Sequence, residues 1–274
     1  MNAITHNLGQ RKGPLLIFGG VYSNYQALTA LKDLAESRQI PLSNIICTGD
    51  VVAYCAAPEA CVQLVKDWGI SVIAGNVERN LAEQAADCGC NFNEGSRCDV
   101  FSRQWYPYAQ AQLSEDAIEW MRQLPDFIRF DYAGKKAVVL HGSYFNTSAF
   151  IFKSTPWAVK AANFEQSGAE LILAGHCGLP FSDSQEGLYW INAGVIGMPA
   201  NDGQASVWYL LLDDQEGFSF EHGQLSYDHQ SAARDMLAQQ LPKSYAQTLI
   251  DGIWDNCEIL PAEETAQQGQ PILL

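Results

Sequence analysis

Positive charge is scarce in this chain. Of 274 residues only 16 are Lys or Arg against 31 Asp or Glu, a formal net charge of -15. Such a field repels phosphate backbones and anionic lipid, which argues against nucleic acid and the membrane surface as partners. Long apolar runs are missing too, since no segment approaches the roughly 20 apolar residues that span a bilayer. The opening Met1-Asn-Ala-Ile-Thr-His6 lacks the basic, apolar, small-residue order of a secretory leader, so a cytoplasmic location is expected. Eight cysteines are present, yet none are spaced as C-x-x-C. In that compartment they read as thiols or metal ligands before disulfides.

What is present is ordinary in amount and ordered in pattern. A 47% hydrophobic content over this length suits one α/β domain with a sizeable core. A buried strand over 14–20 precedes a helix over 24–38 whose Leu28, Leu31, Leu34 and Ala35 share one face. Strand 44–48, helix 58–68 and strand 70–74 follow, an order that implies a parallel sheet. Residues 77–125 read as mostly helical around a cysteine-bearing loop, with a helix capped at Ser114 and stopped by Pro125. Strands 127–132 and 136–140 form a hairpin, and Thr155-Pro156 reads as an N-cap and first residue of the next helix. Strands over 171–174, 187–192, 205–212 and 218–225 are expected to complete a second sheet. Two helices over 231–241 and 243–254 are expected to pad the core or form an oligomer contact, with covering of a functional face less favoured. Residues 261–270, rich in Glu, Gln and Gly, are expected to be mobile.

Five segments end strands and open loops: Ile17-Phe-Gly-Gly-Val-Tyr-Ser-Asn24, Thr48-Gly-Asp50, Ala74-Gly-Asn76-Val-Glu78, Leu140-His141-Gly-Ser143 and Ala174-Gly-His176-Cys-Gly178. Strand ends are where open α/β sheets build their sites. Together, in order and spacing over about residues 14 to 213, the segments resemble the calcineurin-like metallophosphoesterase family. The resemblance implies an α/β fold: a four-layer α-β-β-α sandwich of two mixed sheets, with a core at about 14–226, a helical C-terminal extension at 228–257 and a mobile tail at 261–274. Asn192-Ala-Gly194-Val-Ile-Gly197-Met-Pro199 is similar to a family stretch that carries backbone near the substrate. An ordinary strand-end turn explains those glycines nearly as well.

Carried over residue by residue, the resemblance implies that one metal is held by Asp50, Asn76, His141 and His176. The ligands private to the other metal are missing, their positions being Gly20, Tyr22 and Gly178. The family's general acid is replaced by Val77, followed by Glu78. One divalent transition metal, Mn, Fe or Zn, suits the remaining N/O donors. Glu78 is then the nearby carboxylate left to handle protons, and Tyr22 would face the vacated position as a second candidate catalytic group. The same polar residues also suit plain packing in a retired enzyme.

Cys88, Cys90 and Cys98 lie within eleven positions and could hold zinc or an iron–sulfur cluster with a fourth ligand, or stand as free or structural thiols. Three functions follow: a weak or specialised hydrolase of a small phosphorylated metabolite, a non-catalytic protein binding an anion, metal or partner, and a thiol- or metal-based redox or sensing protein.

Overall fold

The computed structural model describes residues 3–90 and 93–274. Side-chain alternation explains its layers. In β2 (Leu15–Phe18), Leu15 and Ile17 join one buried cluster while Leu16 and Phe18 join another. A strand buried on both faces must lie inside a sandwich. β2 pairs in parallel with β3 (Ile45–Cys47), and β3 with β4 (Ser71–Val72), while β10 (Val207–Asp213) runs antiparallel to β2 and carries β11 (Ser219–Leu225) on its far edge.

The second sheet has the order β1 (Thr5–Arg11), β5 (Phe127–Tyr132), β6 (Lys135–Val139), β7 (Leu171–Ala174), β9 (Leu188–Ala193) and β8 (Pro180–Gln185). Leu15, Ile17, Ile46 and Leu210 of one sheet meet Ile128, Val139, Leu171 and Ile191 of the other in a single apolar layer. Helices α1 (Tyr25–Ser37), α2 (Pro58–Trp68), α3 (Asn76–Ala82), α4 (Arg97–Gln112) and α5 (Glu115–Gln123) add to the cluster outside the first sheet. α6 (Trp157–Ser167) covers the outside of the second, its Phe164 meeting Trp190. The fold is the α-β-β-α sandwich of two mixed sheets.

Four local expectations need correction. The strands over 205–212 and 218–225 return to the first sheet, because β10 finds its partner in β2. β1 and β8, not expected as strands, form the two edges of the six-stranded sheet. α6 begins at Trp157 with Pro156 at its N-cap, and Thr155 is spent otherwise: its Oγ1 accepts from the Phe152 N–H at 2.9 Å. Of the two C-terminal helices, α7 (His229–Ala238) packs on α1 and on α8 (Lys243–Asp251), but α8 and the strap after it wall a cavity. Past the strap, α9 (Ala262–Thr265) is tied back where Ser154 donates to Glu264, and Gly269 N–H donates to the Asn201 carbonyl.

Candidate metal centre

The centre grows from strand ends that turn sharply. Asp50, Tyr22, Ser23 and His176 all hold positive φ, between 53° and 59°. Left-handed backbone in residues other than glycine is costly and collects at functional sites. Gly75 permits one of these turns: a Cβ there would fall 2.1 Å from Asp50 Oδ1. Gly175 permits another, since its Cβ would meet Thr48 Oγ1 at 2.1 Å.

Glu78 fixes the Asp50 loop. Its carboxylate accepts from the Asp50 N–H at 2.7 Å, the Gly75 N–H at 2.9 Å and the Val52 N–H at 3.3 Å. The Gly75 bond is the acidic half of a capping box at the start of α3. Burial and the nearby Asp50 push its pKa up to about 7, against the pull of the three amides. The group is fully buried with both oxygens engaged. Glu78 therefore positions the Asp50 loop. Val77, in place of a proton donor, offers only its backbone N–H, which donates to Asp50 Oδ1 at 3.3 Å.

Four side chains converge beyond that loop. His141 Nδ1 lies 2.7 Å from the Thr48 carbonyl and donates to it, so in the neutral ring the Nε2 lone pair faces the centre. That Nε2 stands 3.1 Å from Asn76 Oδ1, 3.2 Å from Asp50 Oδ2 and 2.9 Å from His176 Nδ1. The Asn76 amide is oriented by its nitrogen, which donates to the Cys88 carbonyl at 2.8 Å and to Cys90 Sγ at 3.1 Å, leaving the oxygen inward. Acceptors gathered this tightly could hold a cation. Bonds of about 2.1 Å at right angles separate neighbouring donor atoms by about 3 Å, which these spacings match. Among the described residues Asp50, His141 and His176 are the one group of three such ligand atoms within 4.8 Å of one another.

Without an ion the charge is balanced by a proton. Burial disfavours a charged His141, but the adjacent Asp50 outweighs it and raises the pKa. Asp50 is held low by the same pairing with His141, against its own burial. His176, buried beside His141, is pushed down to about 3 and stays neutral, its Nε2 without a hydrogen-bond partner.

Residues 17–216 match the calcineurin-like phosphoesterase superfamily domain. The chain belongs to this family. A protein of Methanocaldococcus jannaschii, itself uncharacterized, is 24% identical over 177 residues, 64% of this chain and 67% of its own length. Two crystal structures share the fold. A Pyrococcus horikoshii protein has a TM-score of 0.74 at 18% identity, covering 88% of this chain and 99% of its own. A metallophosphoesterase from Sphaerobacter thermophilus has a TM-score of 0.68 at 22% identity, covering 89% and 100%.

Within this phosphoesterase domain, the positions Gly20, Tyr22 and Gly178 do not leave open space. A Cβ on Gly20 would lie 2.2 Å from Tyr22 Cε1, so the Tyr22 ring fills the room in front of it. Gly178, at φ +81°, has the Trp254 indole 3.3 Å from its would-be Cβ. Trp254 is seated by its Nε1–H on the Pro199 carbonyl at 2.7 Å and its N–H on Asn201 Oδ1 at 2.8 Å. The stretch 192–199 closes the back: Gly197 N–H donates to the Gly20 carbonyl at 2.8 Å, and a Cβ on Gly197 would strike the Val21 carbonyl oxygen at 2.3 Å.

A cavity of about 80 Å³ remains over the centre, lined by Asp50, His176, Tyr22, Tyr54, Phe150 and Cys90 among others. No lining residue is Lys or Arg. Tyr245 of α8 and Trp254 to Asn256 of the strap form the outer wall, latched by Arg97 donating to Asp255 Oδ1 at 2.6 Å. This covering role is the one the sequence had made the less favoured. The cysteine trio does not assemble: Cys88 and Cys90 Sγ are 3.1 Å apart, but Cys98 turns to Asn256 Oδ1 at 3.6 Å, and among the described residues no three thiols gather at ligand spacing. Among the described residues no helix is long and apolar enough to cross a membrane.

Proposed function

We propose that this domain holds a single divalent transition metal, Mn, Fe or Zn, on Asp50, Asn76, His141 and His176, and hydrolyses a small phosphorylated molecule slowly. One observation carries this reading: donor atoms converge at 2.9–3.2 Å on one side while the Tyr22 ring fills the other. When bound, such an ion lowers the pKa of water and polarises a phosphoryl oxygen. The chain's own residues do the rest. Thr48 fixes the His141 tautomer, Glu78 holds the Asp50 loop, and the Cys88 and Cys90 contacts keep the Asn76 oxygen inward. Tyr22 and Phe150 line an apolar cavity that limits water around a bound ester. Val77 stands in the position of the family's general acid, so esters with good leaving groups suit the site best.

A non-catalytic role, binding a ligand or a partner, is the second reading, favoured by Val77 standing where the family places its general acid. Metal analysis after mild purification, manganese titration and initial rates on aryl against alkyl phosphate esters separate the two. One ion per chain, with aryl-ester turnover below about 1 s⁻¹ that vanishes in Asp50→Ala, is expected. Two ions, or ordinary enzyme rates on alkyl esters, overturn the proposal. One ion without any turnover selects the second reading.

A further inference from the structure

The turn Cys88-Gly89-Cys90 brings two reduced thiols together beside the centre without a part in holding an ion directly. Gly89 makes the turn at φ +74°, and a side chain there would collide with Asn80 at 2.8 Å. The two sulfurs sit 3.1 Å apart, about 1 Å beyond the bonded distance of a disulfide. Cys90 lines the cavity, which gives a small oxidant a route to the pair. Both residues also carry Asn76, one through its carbonyl oxygen and the other through its sulfur.

We infer that Cys88 and Cys90 form a reversible disulfide with a peroxide-class oxidant, and that closing it weakens metal binding through Asn76. Two S–H bonds are lost and one S–S bond forms, while the peroxide O–O bond is reduced to two waters. Closure draws the Cys90 sulfur toward Cys88 and away from the Asn76 amide nitrogen. That nitrogen then loses one of its two fixed acceptors, and the oxygen is no longer pinned toward His141 Nε2. The effect on the ion rests on the one-metal reading, whereas the disulfide does not.

The tryptic peptide spanning residues 80–97 contains these two cysteines and no other, so its mass reports the bond directly. After brief hydrogen peroxide treatment of the full chain, this peptide is expected to be lighter by two hydrogens and to recover with dithiothreitol. Manganese titration of the treated, peroxide-free protein is expected to show affinity reduced by about 10–100-fold, the usual loss when a group orienting a ligand is disturbed. In Cys88→Ser, which keeps both Asn76 contacts, affinity is expected not to respond to peroxide. A peptide left unchanged, or linked instead to Cys98, overturns the site. An internal disulfide with unchanged affinity overturns the coupling, as does a peroxide response persisting in Cys88→Ser. If the reduced protein takes up no manganese, the one-metal reading and the coupling fall together, while the peptide mass still decides the disulfide.

Discussion

The aromatic ring of Tyr22 occupies the place where a side chain on residue 20 would begin, 2.2 Å from the would-be Cβ. Gly20→Asp alone is therefore expected to lower stability by about 1–3 kcal/mol through overpacking, and adding Tyr22→His to relieve it. Urea denaturation of the single and double variants measures this. Equal losses would mean that the ring is free to swing aside.

Restoring a second ion requires more than its ligands. Gly178→His meets the Trp254 indole and a left-handed φ of +81°. With Gly20→Asp, Tyr22→His, Val77→His and Gly178→His combined, titration calorimetry is expected to detect a second manganese only when Trp254→Ala is also present. A second ion in the four-fold variant would show that the strap yields readily.

Asp50 and His141 form a buried ion pair in the metal-free protein, 3.2 Å apart. Removing one partner from such a pair typically costs about 3–5 kcal/mol, because the other charge is left unpaired. His141→Leu in the presence of chelator is expected to fall in that range, and His141→Leu with Asp50→Asn to fall less. Additive losses in urea would exclude the coupling.

Glu78→Gln keeps the volume but offers one oxygen where two now serve three amides. At least one buried N–H loses its acceptor, so a destabilisation of about 1–3 kcal/mol is expected, with weaker metal binding as the Asp50 loop relaxes. Stability unchanged by calorimetry would exclude this holding role.

His222 donates from Nε2 to the Asn192 carbonyl at 2.8 Å, joining the two sheets. Burial holds its pKa below the ordinary value, although that carbonyl favours the charged ring. A folded pKa below the unfolded one contributes stability that is present above about pH 6.5 and is lost as pH falls toward the folded value. Between about pH 7.5 and 5.5 the wild type is expected to lose more stability than His222→Gln. Parallel pH profiles would contradict this.

The centre was legible in the sequence because its parts are local. Asp50, Asn76, His141 and His176 each follow a hydrophobic strand within a few residues, and strand ends fix direction. The holding role of Glu78 was less plain: an acid three residues after Gly75 is a capping position, and that predicts amide partners beside any chemistry. The walls were harder. Trp254 meets Gly178 across 76 positions of chain, and nothing in either segment's periodicity announces the contact. β1 escaped because Thr5–Arg11 has one apolar residue and exposed faces, so backbone pairing to β5 alone makes it a strand.

The order of synthesis gives the strap a further meaning. Every strand of both sheets and all four converging donors lie before residue 226, whereas Tyr245 and Trp254 leave the ribosome later. Chain order thus makes the wall the last part to be synthesised: every residue that holds the basin precedes the indole that closes it.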